Sequence, residues 1–166
     1  AKAMGARVIA AASSDEKLEF ARSAGADDTI NYSTMPLKET VKELTDGKGA
    51  DVVYDPVGGE LADQAFRATA WHGRYLVIGF AAGNIPSFPA NIALLKEASI
   101  IGVWWGTWAA KNPGLQRENM LEIAQWVSEG KVTPRVTESY SLDEFASAFA
   151  AITERRALGK VTLRMR

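Results

Sequence analysis

An α/β domain built on a doubly wound, mostly parallel sheet is the fold class that the sequence predicts. Short apolar runs of strand type recur at 8–12, 29–32, 51–55, 74–79 and 99–103. Stretches with helical spacing lie between them, the alternation expected of right-handed crossovers between parallel strands. Polar or glycine-rich turns follow the strands, where an open sheet of this kind places its ligands.

Composition narrows the class. Of 166 residues, 47% are hydrophobic and the formal net charge is −1, which suits one globular domain with a sizeable core. The charge balance argues against a nucleic-acid footprint or a polybasic membrane face. Cysteine is absent, so disulfides and thiolate metal sites within the chain are excluded; that fits a cytoplasmic setting. No apolar run reaches the length of about eighteen residues needed to span a bilayer.

The elements follow in order. Residues 1–5 read as the last turn of a helix, with Gly5 in the left-handed position that ends it. A single turn is not stable alone, so the expectation is a fragment of a longer chain. Val8 to Ala12 reads as a strand covered on both faces. Ser13 and Glu16 stand three apart, the spacing of a capping box. A helix over 16–24 turns Leu18 and Ala21 inward and closes at Gly25. After the strand at 29–32, the spacing of Leu37, Val41 and Leu44 predicts an amphipathic helix, ended by Asp46 to Gly49.

The strand at 51–55 reads as buried, with a helix over about 60–70 and a turn at His72-Gly73. Strand 74–79 runs into the loop Phe80 to Gly83. A short helix near 92–96, strand 99–103 and the aromatic cluster Trp104 to Trp108 come next. Leu115 to Glu129 is expected as a helix with Leu121, Ala124 and Val127 inward, stopped by Gly130. Strand 135–140, helix 141–155 and strand 160–164 complete the chain, and Ser141 with Glu144 forms a second capping box.

The candidate site residues stand just after strands: Ser13-Ser14, Tyr32, Asp55 to Gly59, Gly79 to Gly83 and Trp104 to Gly106. Glycines after strands can simply turn the chain, but their coincidence at one sheet edge points to a nucleotide site. The turn Ala12 to Lys17 leaves two roles open. Ser13 caps a helix beside a solvated Lys17, or hydroxyls and cation together accommodate the 2′-phosphate of NADP, where an acid would favour NAD. Asp15 and Glu16 read as first-turn acids favoured by the helix dipole. His72, the only histidine, reads as solvated or capping. Asp55 reads as a loop-positioning group bonded to backbone rather than an acid or base. Trp104 and Trp105 are open between core or interface aromatics and a cofactor-side role.

Four segments carry a resemblance to a known family: Ala24-Gly-Ala-Asp-Asp-Thr-Ile-Asn-Tyr32, Asp51-Val-Val-Tyr-Asp-Pro-Val-Gly-Gly59, Gly73-Arg-Tyr-Leu-Val-Ile-Gly-Phe80 and Gly159-Lys-Val-Thr-Leu163. In order and spacing, over essentially the whole chain, they resemble the medium-chain dehydrogenase/reductase superfamily, in its zinc-free NADPH:quinone oxidoreductase branch. The resemblance implies a Rossmann-type domain binding NADP(H) and passing hydride to a quinone or an α,β-unsaturated carbonyl. Around the Ser13-Ser14 tip it assigns Ser14, Lys17 and Tyr32 to the 2′-phosphate, and Pro56, Val57, Gly58 and Gly59 to the nicotinamide-side ribose. Gly79, Phe80 and Ala81 would lie against the nicotinamide, and Val103, Trp104 and Trp105 would line the inner cleft. It implies a homodimer paired through edge strand 99–103. It places 135–140 and 160–166 with a substrate-side domain, the remainder of 1–166 being one cofactor-binding domain. No catalytic residue is identified in the chain, and no metal is implied.

The chain also departs from the family. Its glycine-rich pyrophosphate turn and first strand would lie upstream of Ala1, and no G-x-G-x-x-G occurs here. The first strand would sit between the second and fourth. The sheet is therefore expected to split or expose two unpaired edges, and the isolated chain to bind NADPH weakly or not at all and to be inactive. The alternatives are an enoyl-reductase domain of a polyketide or fatty-acid synthase, an S-adenosylmethionine-dependent methyltransferase, and a non-catalytic truncated module. The Ser13-Ser14 tip argues against the methyltransferase.

Overall fold

A computed structural model of the chain describes residues 1–165. It forms two compact units, residues 7–116 and residues 117–166 with 1–6. Every strand pairing among the described residues is parallel.

The larger unit begins with β1 (Ile9–Ala12), α1 (Asp15–Ser23), β2 (Asp28–Asn31) and α2 (Leu37–Leu44). Strand β1 pairs with β2, Ile9 opposite Asp28. The Arg7 guanidinium holds Asp28 at 2.8 Å, and the Val8 N–H donates to Asp27 at 2.7 Å, which pins the register at its start. Helix α1 buries Leu18, and Gly25 follows its end at φ 103, as the C′ position requires. Helix α2 keeps the expected bounds and buries Leu37, Thr40 and Val41.

Next come β3 (Ala50–Asp55), α3 (Leu61–Arg67), β4 (Thr69–Val77), α4 (Ala90–Lys96), β5 (Ser99–Gly102) and α5 (Trp105–Lys111). They build a separate three-stranded sheet in the order β3-β4-β5. Among the described residues no strand joins it to the β1-β2 pair, so the expected split is present. The outer edges of β1 and β3 stay unpaired among the described residues. The strand read as buried is therefore half open, and Tyr54 is 67% exposed.

Apolar packing ties the two sheets. Ile30, Leu37, Val41 and Ala68 form one cluster, with Ile9 of β1 and Ala50 of β3 packed against it. A second cluster of Ala62, Phe66 and Tyr75 seats α3 on its own sheet.

Two further expectations change. The helix read to residue 70 stops at Arg67, because Thr69 is fully buried and pairs with Ala50 as the first residue of β4. The register then jumps: Val52 faces Arg74, so β4 carries extra residues that bulge at Trp71 and His72, the latter at φ 57. His72 is exposed and lies 3.5 Å from the Glu97 carboxylate. Helix α6 (Pro113–Ser128) forms, but Leu121, Ala124 and Val127 are exposed, because no described element covers that face.

In the smaller unit β6 (Val136–Ser141) pairs with β7 (Lys160–Arg164), and α7 (Phe145–Thr153) packs on both. The Ser141 capping box forms, its N–H donating to Glu144 at 2.8 Å, but it opens a 3₁₀ turn, Leu142–Glu144, ahead of α7. Residue 166, the end of the segment read as substrate-side, lies outside the described residues. No described helix is long and apolar enough to cross a membrane.

The turn between α2 and β3 holds a sharp steric contrast. Gly47 and Gly49 both have positive φ, at 83° and 90°. A Cβ on Gly47 meets nothing within 4 Å, whereas one on Gly49 would meet the Ala68 carbonyl oxygen at 2.5 Å. Urea unfolding is expected to show Gly47→Ala costing about 1 kcal/mol, the left-handed penalty alone. Gly49→Ala is expected to cost about 3 kcal/mol or more, since backbone must move as well.

Candidate functional site

The first group of candidates sits after β1 and β2. Ser14, not Ser13, is the N-cap of α1: it is extended at φ −147, and its hydroxyl accepts from the Lys17 N–H at 3.4 Å. The expected Ser13–Glu16 box is absent because extended backbone continues through Ser14, one residue past the place of a Ser13 cap, and the helix starts at Asp15. Ser13 instead offers its carbonyl to the Ser33 hydroxyl at 2.9 Å. Asp15, a carboxylate that could have read a ribose, accepts from the Asn31 side-chain amide at 2.8 Å. Tyr32 donates its N–H to the Ala12 carbonyl at 3.1 Å, and its half-buried ring packs on the first core cluster. Backbone pairing thus brings Ser13, Ser14, Lys17 and Tyr32 to one edge. The Lys17 ammonium has no ion-pair partner among the described residues.

The second group comprises the loops after β3 and β4, which the structure joins. The Asp55 carboxylate accepts from the Val57 N–H at 2.7 Å, the Gly58 N–H at 3.0 Å and the Tyr75 hydroxyl. The loop-positioning reading of Asp55 therefore matches the geometry. Ala81 and Ala82 donate N–H to the carbonyls of Pro56 and Val57, at 3.1 and 2.9 Å, and Gly59 donates to Asn84 at 3.1 Å. Gly58 and Gly59 both need positive φ, and a Cβ on Gly59 would press on the Ala82 Cβ at 2.9 Å. The two loops lie edge to edge, with Gly79 packed beside Pro56, and leave Pro56, Phe80 and Ala81 exposed.

A third group continues from β5. The Val103 N–H donates to the Val77 carbonyl at 2.9 Å, which sets this chain segment beside the end of β4. Val103, Trp104 and Trp105 are exposed, Trp104 by 79%, so these tryptophans are not core residues. With Trp108, Lys111 and Asn112 they line an open groove of about 470 Å³.

Sequence reading missed Tyr75 and Asn84. Tyr75 carried a signal: a buried tyrosine must find a partner for its hydroxyl, and it stands just ahead of the aliphatic run Leu76 to Ile78. Its hydroxyl is pushed well above the ordinary range by burial first and by the Asp55 carboxylate second. Asn84 acts through its backbone carbonyl, which side-chain chemistry does not announce.

Parallel strands whose glycine-rich loops gather at their carboxyl ends define a Rossmann-type α/β domain. The family model for zinc-binding dehydrogenases matches residues 1–126. Quinone oxidoreductase-like protein 2 of Bos taurus is 41% identical over 161 residues, covering 97% of this chain and 46% of that protein. Among solved structures, an NAD-dependent alcohol dehydrogenase superposes with a TM-score of 0.85 at 34% identity, over 99% of this chain and 46% of that one. The Escherichia coli quinone oxidoreductase complexed with NADPH gives a TM-score of 0.87 at 25% identity, over 98% and 50%. The chain belongs to the zinc-binding dehydrogenase family, within the quinone oxidoreductase branch of the medium-chain dehydrogenase/reductase superfamily. It spans about half the length of the relatives it matches. Membership sets aside the methyltransferase alternative.

The residues present do not fit the metal in the family's description. The chain has no cysteine and one histidine, and no three candidate ligands cluster among the described residues.

The corrected cap is directly measurable. Ser14→Ala is expected to lower stability by about 1 kcal/mol, and Ser13→Ala to stay within about 0.5 kcal/mol of the parent, by chemical denaturation. A larger loss for Ser13→Ala than for Ser14→Ala would return the cap to Ser13.

Proposed function

We propose that the chain is the dinucleotide-binding part of an NADPH-dependent oxidoreductase that reduces a quinone or an α,β-unsaturated carbonyl. The observation that carries the cofactor choice is the α1 turn. Asp15 is engaged by Asn31, while Lys17 remains unpaired among the described residues beside the Ser14 cap. A cation with hydroxyls near it suits a phosphate. In this reading Ser13, Ser14, Lys17 and Tyr32 surround the 2′-phosphate. Pro56 to Gly59 border the nicotinamide-side ribose, and Gly79, Phe80 and Ala81 back the nicotinamide. Val103, Trp104 and Trp105 border the substrate cleft.

When bound, the cofactor supplies the transferable hydride, and the protein's own residues hold and orient it. Reduction is proposed to proceed without zinc. Strand β5, exposed along its length at the sheet edge, is proposed to pair with its copy in a homodimer. An enoyl-reductase domain remains the second reading within the same chemistry.

Titration of the intrinsic tryptophan fluorescence with NADPH and NADH tests the proposal, on this chain and on a complete protein carrying it. The complete protein is expected to respond with NADPH preferred, and this chain weakly or not at all. A complete protein that responds to neither would overturn the oxidoreductase reading, and a preference for NADH would overturn the cofactor choice. In the complete protein, Lys17→Ala is expected to weaken NADPH by roughly 1.5–3 kcal/mol and to leave NADH nearly unchanged. Equal losses for both would remove Lys17 from the phosphate site.

A further inference from the structure

The loop after β3 contains two consecutive glycines at positive φ, Gly58 and Gly59, the softest backbone a loop can have. Something must hold it in one shape. Asp55 stands at its base, 7% exposed, with both carboxylate oxygens engaged. Burying a carboxylate is costly for stability compared with an apolar side chain, so its presence suggests that conformational specificity is what it contributes.

Tyr75 completes the arrangement from the neighbouring strand. The register sets Tyr75 opposite Val53, so Asp55, two residues on, shares its face of the sheet. The ring is 1% exposed and meets Phe66 and Phe88 edge-on, at centroid distances of 6.0 and 4.9 Å. It is held on two sides, and its hydroxyl reaches the carboxylate across that diagonal. Its raised pKa keeps the hydroxyl protonated, hence a donor.

We infer that Tyr75 and Asp55 are positioning residues that lock the loop at 56–59 and, through it, the loop at 79–84. The bonds from Ala81 to Pro56, Ala82 to Val57 and Gly59 to Asn84 pass the constraint from one loop to the next. Tyr75 touches no loop backbone in this network; it acts through Asp55. The consequence for cofactor rests on the proposed oxidoreductase reading: the locked loops shape the surface along the nicotinamide half, which NADPH and NADH share.

Site-resolved amide hydrogen exchange on this 166-residue chain tests the lock. Tyr75→Phe keeps the ring packing and removes only the hydroxyl. It is expected to speed exchange at Val57, Gly58, Ala81 and Ala82 by about ten-fold relative to Ile30 and Val41 in the core. Asp55→Ala is expected to do the same, and Asp55→Asn, which retains an acceptor for both loop amides, to rescue most of the effect. Leu18→Ala, a core change outside the cluster that holds Tyr75, is expected to speed loops and core alike. Loop exchange that keeps pace with the core in both Tyr75→Phe and Asp55→Ala would overturn the inference.

Dinucleotide titration of Tyr75→Phe in the complete protein separates the lock from the cofactor reading. The dissociation constants for NADPH and NADH are expected to rise together, about five-fold, with their ratio unchanged. Faster loop exchange with unaltered affinity would uphold the lock and count against the loops as a cofactor wall.

Discussion

Packing between α2 and α3 is the constraint on which the larger unit depends. The β1-β2 pair and the β3-β4-β5 sheet share no strand pairing, so backbone hydrogen bonds cannot set one against the other. Ile30, Leu37, Val41 and Ala68 do that instead, drawing Ile9 and Ala50 onto a common core. Burying each of the large aliphatic side chains contributes about 1.5–3 kcal/mol, enough together to hold two incomplete sheets in one unit. Apolar packing is non-directional, so it fixes proximity, while strand register within each sheet fixes direction.

That division of labour explains the candidate site. Within each sheet, parallel pairing puts all carboxyl ends on one side, which brings Ser14 near Tyr32 and the loop at Pro56 beside the loop at Phe80. Each loop is then held by a different device. The α1 turn uses a serine cap and the Asn31–Asp15 bond. The glycine loops use a buried carboxylate, a buried hydroxyl and reciprocal backbone bonds. Polar groups here serve shape; the apolar core supplies most of the stability.

Much of the architecture was legible in the chain because local signals agreed with the fold. Leu37, Val41 and Leu44 marked α2 to the residue, and Gly5, Gly25 and Gly130 marked ends that do adopt positive φ. The loop role of Asp55 was legible from its place between a strand and Pro-Val-Gly-Gly. The cap was misplaced by one residue because Ser13 and Ser14 are chemically equivalent, and only the point where extended backbone ends distinguishes them. Helix α3 ran short because Thr69 was claimed by pairing with Ala50, a long-range bond that propensity does not see. The inward face assigned to α6 found no cover among the described residues, since periodicity shows that a helix has an apolar side and not what meets it.

By itself, then, the sequence determined the order of elements, their parallel pairing and the family, because apolar period, glycine punctuation and motif spacing are local properties of the chain. Only the tertiary structure decided which serine caps α1, that Asn31 engages Asp15, and that Tyr75 reaches across to Asp55. The cap depends on where extended backbone gives way to helix, and the other two on residues distant in sequence meeting at hydrogen-bond distance, a meeting set by packing and register.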